Sequence, residues 1–412
     1  MRKVLLTALA LVAALGLSVS ASTAATAENG ITAKTITIGA TFPLTGPASG
    51  YAPIAGGMKA YFSYINARRG ADGKRGVGGR QVVFKYYDDG YNPANTVQLT
   101  RKLVESDKVF AIVGQLGTEV CLSVRPYLNQ AKVPQILNST GATQFGTEGA
   151  QYPWTIGWQP DYTAEGRVYG QNIAKFQSDQ KIAVLYQNDD YGKDYLAGFK
   201  AGLGSASANI VGEQPYEVTA PDVKSQIAKL KGSGANVFVI FATPKFTILS
   251  YATAKAFGWK PAQIYVNSVS ATDAFMTIAS KAAGPDAVNG SVSVTYLKDP
   301  ANPRWDADSG MVLYNKIMKK YLPNANAKDQ LYLYGFAKAE TFVQALAKSG
   351  KNPTRDSLMK SVTSMNSTNP FLLPGVVQKT GAGDRFVISQ QALQRYTNGT
   401  WAQIGPVVDG RK

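Results

Sequence analysis

The chain has 412 residues, with 43 lysines and arginines against 27 acidic residues, a net charge of +16 and no histidine. Any catalytic triad would have to do without imidazole, the commonest general base and metal ligand. The basic residues are scattered and do not interleave with aromatics as a binding stripe would, so no nucleic-acid partner is expected, and the length suits two α/β lobes better than one.

Arg2 and Lys3, the apolar stretch from Val4 to Leu17 and the small-x-small sequence Ala25-Thr26-Ala27 read as a signal peptide over residues 1–27. Its apolar run falls short of the roughly 20 residues that span a bilayer, and no later segment is long and apolar enough. No cysteine stands near the cleavage site, so a lipid anchor is not expected. The mature chain is expected to be periplasmic or secreted, and not membrane-spanning. Cys121 has no partner for an internal disulfide and reads as a small buried apolar residue.

Residues 35–40 alternate as a first strand and run into a loop, 41–51, without the G-x-G-x-x-G spacing of a dinucleotide site; no cofactor and no metal is expected. A helix is predicted over 54–67, with Met58, Tyr61, Phe62 and Ile65 on one face. Residues 68–80 read as a solvated loop and 81–87 as a strand. A helix over 92–106 opens with Asn92 as cap and Pro93 at its first position. Asp88 and Asp89, a tempting acid pair, read as groups that cap this helix or bind its first N–H groups.

The densest signal lies in residues 110–143. Two apolar runs, 110–113 and 133–137, end in Gly114 to Thr118 and in Asn138-Ser139-Thr140-Gly141, and the first leads into a helix near Glu119. Polar residues just past the C-terminal ends of buried parallel strands line the crevice of an open α/β sheet. Hydroxyls, bare N–H groups and a helix N-terminus together suit a carboxylate. An ordinary pair of βα turns would show the same residue types.

A second lobe begins near Trp158. Helices are predicted over 161–176, 195–203, 223–231 and 248–257, and strands over 181–186, 210–216, 236–241 and 264–266. Glu165 is explained by the helix dipole alone. Residues 291–296 are expected to cross back to the first lobe, 331–347 to form a long helix on its sheet, and 386–396 with 401–404 to close the chain as a hairpin. The fold class is α/β, with two lobes of one βα plan: residues 28–156 plus 291–372, and 157–290 plus 373–412.

The blocks GATFPLTGPASGY (39–51), YYDDGYNP (86–93), VFAIVGQLGTEV (109–120), VPQILNSTGAT (133–143), IAVLYQNDDYGKDYLAGFKAGL (182–203) and DVKSQIAKLKGSGANVFVI (222–240) occur in this order. Together they resemble the leucine/isoleucine/valine-binding family of ABC-transporter solute-binding proteins, the type I periplasmic binding proteins, over essentially the whole mature chain. The resemblance implies two Rossmann-like lobes joined by three hinge crossovers that close on a small solute and hand it to a membrane permease. No enzyme activity is expected, and a monomer is.

By position, Thr118 is similar to the family's hydroxyl donor to the ligand carboxylate. Ser139 and Gly141 are similar to the pair that offers a backbone carbonyl and N–H to the head group. Gly141 replaces the usual threonine, with Thr140 as the nearest compensating hydroxyl. Tyr51 and Tyr191 match aromatic lids from opposite lobes. Trp158 reads as cleft wall or hinge packing, and Lys245 or Phe246 as second-lobe wall or exposed turn. The family's cysteine pair falls at Tyr91 and Gly117, so that bridge is missing. Its acidic residue for an α-ammonium falls near Ser268 or Val269, neither of which is acidic. An ammonium buried without a counter-charge is costly. The implied ligand is thus a carboxylate or amide with an aromatic or branched tail, unless Asp190 or Glu119 supplies the charge for an amino acid. The alternatives are a ligand-binding sensor subunit of a signalling receptor and an exported α/β hydrolase. The hydrolase would need a G-x-S-x-G elbow and a base, and the chain has neither the elbow nor a histidine.

Overall fold

A computed structural model describes residues 28–412 except Ala71; the segment read as a signal peptide lies outside the described residues. The first lobe alternates β1 (Thr35–Phe42), α1 (Pro53–Ala67), β2 (Gln81–Asp88), α2 (Pro93–Arg101), β3 (Ile112–Val113), α3 (Thr118–Gln130), β4 (Gln135–Asn138), α4 (Gln144–Thr147) and β5 (Thr155–Gly157). All five strands are parallel, in the order β2-β1-β3-β4-β5. β3 and β4 are buried throughout, which is why they show no apolar–polar alternation.

Asn92 caps α2, accepting from the Ala94 and Asn95 N–H groups, and Pro93 occupies the position where an N–H would have no helical partner. Asp88 has a different role from the one expected. It accepts from the N–H groups of Leu44 (2.9 Å) and Thr45 (3.1 Å) and from the Thr45 hydroxyl (2.6 Å), so it pins the loop leaving β1. Asp89 accepts from the Tyr91 N–H and from the Thr96 hydroxyl on α2.

The second lobe runs α5 (Tyr162–Phe176), β6 (Ile182–Gln187), α6 (Asp190–Leu203), β7 (Ile210–Tyr216), α7 (Lys224–Gly232), β8 (Val237–Phe241), α8 (Pro244–Ala256), β9 (Gln263–Val266), α9 (Asp273–Ala283), α10 (Pro285–Val288) and β10 (Val292–Thr295). Placing β10 here corrects the expectation that residues 291–296 carry the chain back. β10 pairs with β9, and Val292 and Val294 fill the second lobe's core. The return comes just after it, where the Lys298 N–H bonds to the Phe371 carbonyl.

Three helices, α11 (Ser309–Tyr321), α12 (Gln330–Lys348) and α13 (Arg355–Val362), precede a small ladder of β11 (Asn366–Ser367) with β12 (Gln378–Lys379). The third passage falls later than the expected residue 372. Gln378 still bonds to Thr341 on α12 and so stays with the first lobe. The hairpin of β13 (Gln390–Thr397) and β14 (Thr400–Asp409) then completes a seven-stranded sheet, β14-β13-β10-β9-β8-β6-β7. Among the described residues no helix is long and apolar enough to cross a membrane.

One contact sets how closely the second lobe packs beside the cleft. α5 and α6 cross through Gly166 and Gly170 on one side and Gly198 and Gly202 on the other. A Cβ on Gly198 would stand 2.0 Å from the Thr163 carbonyl oxygen, and one on Gly166 would stand 2.3 Å from that of Tyr195. Backbone meets backbone, so no side chain can yield. Alanine favours a helix by about 1 kcal/mol over glycine. Gly198→Ala is nevertheless expected to destabilise the protein by roughly 1–3 kcal/mol, because overpacking outweighs propensity. Urea unfolding measures this, and a stability gain would contradict the packing described.

Candidate functional site

In each sheet the strand order reverses beside the lobe's first strand: β1 lies between β2 and β3, and β6 between β7 and β8. Loops diverge at such a switch point and leave a crevice beyond the strands' C-terminal ends. The two crevices face each other across a cavity walled by residues of both lobes. Loops after β1, β3, β4, β6, β8 and β9 line it, together with β10 and one face of α12.

Two backbone features aim the first-lobe groups. β4 carries a bulge: its register against β5 slips between Ile136 and Asn138, and Leu137 has a φ of 56°. Bulges re-aim the side chains that follow, and Ser139 faces the cavity. Gly114, at the exit of β3, has a φ of 80°, and a Cβ there would stand 2.8 Å from Cε of Lys338. A side chain there would press on the ends of Lys338 and Met58.

Among the described residues no charged side chain lines the cavity; its polar character comes from serine, threonine and glutamine side chains and from six tyrosines, Tyr51, Tyr91, Tyr162, Tyr191, Tyr296 and Tyr334. Charges sit one layer behind. On the first-lobe side Lys338 of α12 is fully buried and donates to Ser139 Oγ and to the Gly114 carbonyl (2.9 Å). Burial holds its ammonium well below the usual lysine range. On the second-lobe side Glu165 of α5 accepts from both the N–H and the hydroxyl of Ser268, each at 2.7 Å, and from the Tyr169 hydroxyl at 2.8 Å. Burial raises its carboxyl, and these donors oppose the rise. Glu165 therefore does more than face a helix dipole: it orients Ser268. Tyr334 donates to Gln159 (2.6 Å), which donates on to Tyr162 (3.1 Å), so one hydrogen-bond chain runs from α12 to α5.

Of the residues singled out from sequence, Tyr51, Thr118, Ser139, Tyr191 and Ser268 line the cavity, with Val269, Tyr91 and Gly117 beside them. Tyr51 also packs edge-on against Phe275 of α9, ring centroids 6.1 Å apart, so it touches both lobes. The Tyr191 hydroxyl lies 2.5 Å from the Asn267 side-chain amide.

The other candidates stand off the cavity. Thr140 is turned to the Thr118 hydroxyl (2.7 Å) and stands behind it. Gly141 is shut away by the hinge, its carbonyl taken by the Tyr162 N–H and any Cβ there 2.2 Å from the Pro160 carbonyl oxygen. Trp158 is buried hinge packing, its indole N–H donating to Thr341 (2.9 Å) and its ring against Tyr334. Phe246 packs on Tyr216 inside the second lobe, and Lys245 bonds to the Ala220 carbonyl. Glu119 and Asp190 supply no charge to the cavity, because Glu119 accepts the Asp190 N–H and Asp190 accepts from Gln144.

Sequence reasoning passed over Lys338 and Tyr334, although they are four apart on a helix whose neighbouring positions are apolar. A lysine on that stripe was the available signal.

Comparison with known proteins agrees with the two-lobe fold. The family described as periplasmic binding protein matches residues 35–400. Over 346 residues the chain is 24% identical to Leu/Ile/Val-binding protein homolog 2 of Brucella abortus, covering 84% of this chain and 86% of that protein. Its fold is similar to that of a branched chain amino acid ABC transporter protein from Thermus thermophilus with bound valine (TM-score 0.76, 16% identity, 91% of this chain and 96% of that one). It is also similar to a solute binding protein of an ABC transporter from Rhodopseudomonas palustris BisB5 in complex with 3,4-dihydroxy benzoic acid (TM-score 0.73, 20% identity, 91% and 98%). The chain belongs to the periplasmic binding protein family, in its type I, leucine/isoleucine/valine-binding branch.

Proposed function

We propose that this protein is an extracytoplasmic solute receptor of an ABC importer. It captures a small organic acid, an amide or a branched or aromatic amino acid between its lobes and presents the closed form to a membrane permease, working as a monomer and without catalysis. The observation that carries this reading is the interlobe cavity itself. It is walled by both lobes, lined by hydroxyls and tyrosines, and free of charged lining among the described residues. Fold alone leaves the head group open, since one structural neighbour holds valine and another an aromatic acid.

The lobes rotate, on this reading, where the chain passes between the sheets: at 157–162, after residue 295, and between 379 and 390. A ligand that touches both walls binds the closed form better and shifts the open–closed equilibrium by that differential affinity. Closure removes it from water, where hydroxyl donors to a carboxylate count for more.

The lobes also touch beside the first passage, where Thr143 bonds to Asp161. Asp194 on α6 accepts the Thr143 N–H (2.9 Å) from the loop after β4, and Asp190 accepts from Gln144 (2.7 Å). Burial, reinforced by Asp161 and Asp190 nearby, pushes the Asp194 carboxyl up to about 7, against the Thr143 N–H that lowers it. Burial likewise pushes Asp189 up to about 6.

Two outcomes follow. Thr118→Val removes a hydroxyl whose one side-chain partner is Thr140 and leaves its shape. Calorimetry against small carboxylates, amides and amino acids is expected to show binding to the wild type. The variant should weaken it by about 10- to 100-fold, the worth of one hydrogen bond to a charged group. Unchanged affinity would place the ligand elsewhere. The second outcome concerns pH. A carboxyl with a raised folded-state pKa contributes stability that is complete below its unfolded value near 4 and is lost as pH rises. For Asp194 that loss runs up to about 7. Asp194→Asn lacks it, so urea unfolding should show the variant gaining on the wild type steadily from about pH 4 to about pH 7. Parallel curves would refute the assignment.

A further inference from the structure

Lys338 ties α12 to the exit of β3 through the Gly114 carbonyl, but nothing among the described residues balances its charge. It is 0% exposed, and none of the ion pairs among the described residues includes it. Its neighbours are the Gly114 carbonyl, Ser139 Oγ and the rings of Phe42 and Tyr334, whose centroids lie 5.5 and 5.1 Å from Nζ. Carbonyl, hydroxyl and ring faces ease a buried ammonium but do not neutralise it, and an uncompensated buried charge is expensive. Glu165, the charge behind the opposite wall, differs in this respect, because an N–H and two hydroxyls already satisfy it. The route from Lys338 to free space passes through Ser139, which lines the cavity. Ser139 also lies 3.2 Å from the Gly114 carbonyl, to which its proton goes when nothing better is present.

We propose that Lys338 is the counter-charge for the ligand's carboxylate and acts through Ser139: the ammonium donates to Ser139 Oγ, and the hydroxyl proton turns from the Gly114 carbonyl to a carboxylate oxygen in the cavity. Lys338 is thus a positioning residue that makes the site prefer an acid to the amide of the same shape. An acid brings the missing negative charge to the buried lysine, whereas an amide brings none. The role presupposes the interlobe receptor proposed above.

The test uses the full mature chain, calorimetry and matched probes: phenylacetate with phenylacetamide, 4-methylpentanoate with 4-methylpentanamide, and L-leucine with L-leucinamide. The wild type should bind at least one acid about 10-fold or more tighter than its amide, the range of a charge-assisted hydrogen bond. Lys338→Met keeps the unbranched apolar stem as far as Cε but removes the charged end. It should lower the acid's affinity about 10- to 100-fold while leaving the amide within a few-fold. A purely structural lysine would shift both probes together, so an unchanged acid-to-amide ratio overturns the proposal. Should Lys338→Met fail to fold, equal binding of acid and amide by the wild type overturns it just as well. Silence from every probe would instead overturn the receptor reading, and this assignment with it.

Discussion

Two serines separate the cavity from two buried charges, and this arrangement governs the character of the site. Ser139 is held by Lys338 and Ser268 by Glu165, one from each lobe. A hydroxyl that accepts a hydrogen bond from an ammonium is polarised to donate; one that donates to a carboxylate is left to accept. The cavity thereby acquires a donor wall and an acceptor wall without exposing a formal charge. Exposed charges in the lining would be strongly hydrated and costly to strip of water. Charges already desolvated within packed helices impose the same polarity without that cost.

Rigid helices are what this requires, and the structure supplies them differently in the two lobes. α12 is anchored along its length, by the Trp158 indole at Thr341 and by close approach to α1, where a Cβ on Gly335 would stand 2.3 Å from the Ile54 carbonyl oxygen. α5 is fixed against α6 by the glycine crossing. Lys338 and Glu165 thus occupy two helices held by close backbone contact. Placement of a charge behind a serine is useful only if its distance from that serine stays constant.

Much of the architecture was legible because buried parallel strands and their polar exits leave a plain trace. Residues 110–113 and 237–241 are unbroken apolar runs, and Thr118 and Thr243 after them line the cavity beside the switch points. What stayed hidden depended on orientation or depth. The bulge at Leu137 decides that Ser139 faces the cavity while Thr140 turns to Thr118, and nothing in the letters Asn-Ser-Thr-Gly signals an extra residue in the strand. Phe246 follows a strand end as a cleft residue would, yet the first turn of α8 rolls it onto Tyr216. Lys338 does not read as a site residue in the sequence, and Glu165 reads there as a charge facing a helix dipole, for one shared reason. A charge on a helix is ordinarily assigned to the solvated face, and only tertiary contacts reveal that these faces are covered.

The first passage between the lobes is short. Trp158 is tied to α12 on one side, and on the other the Asp161 side chain accepts the Thr163 N–H at the start of α5, leaving Gln159 and Pro160 as the backbone between the two anchors. A proline has a nearly fixed φ and no N–H to give. Torsion along this strip is therefore confined to very few bonds, so that a rotation of the two bodies, as proposed for the receptor, would turn on a stiff axle rather than a slack tether. Twisting at one end is delivered to the other with little play, a mechanical economy that a longer, glycine-rich connection would forfeit.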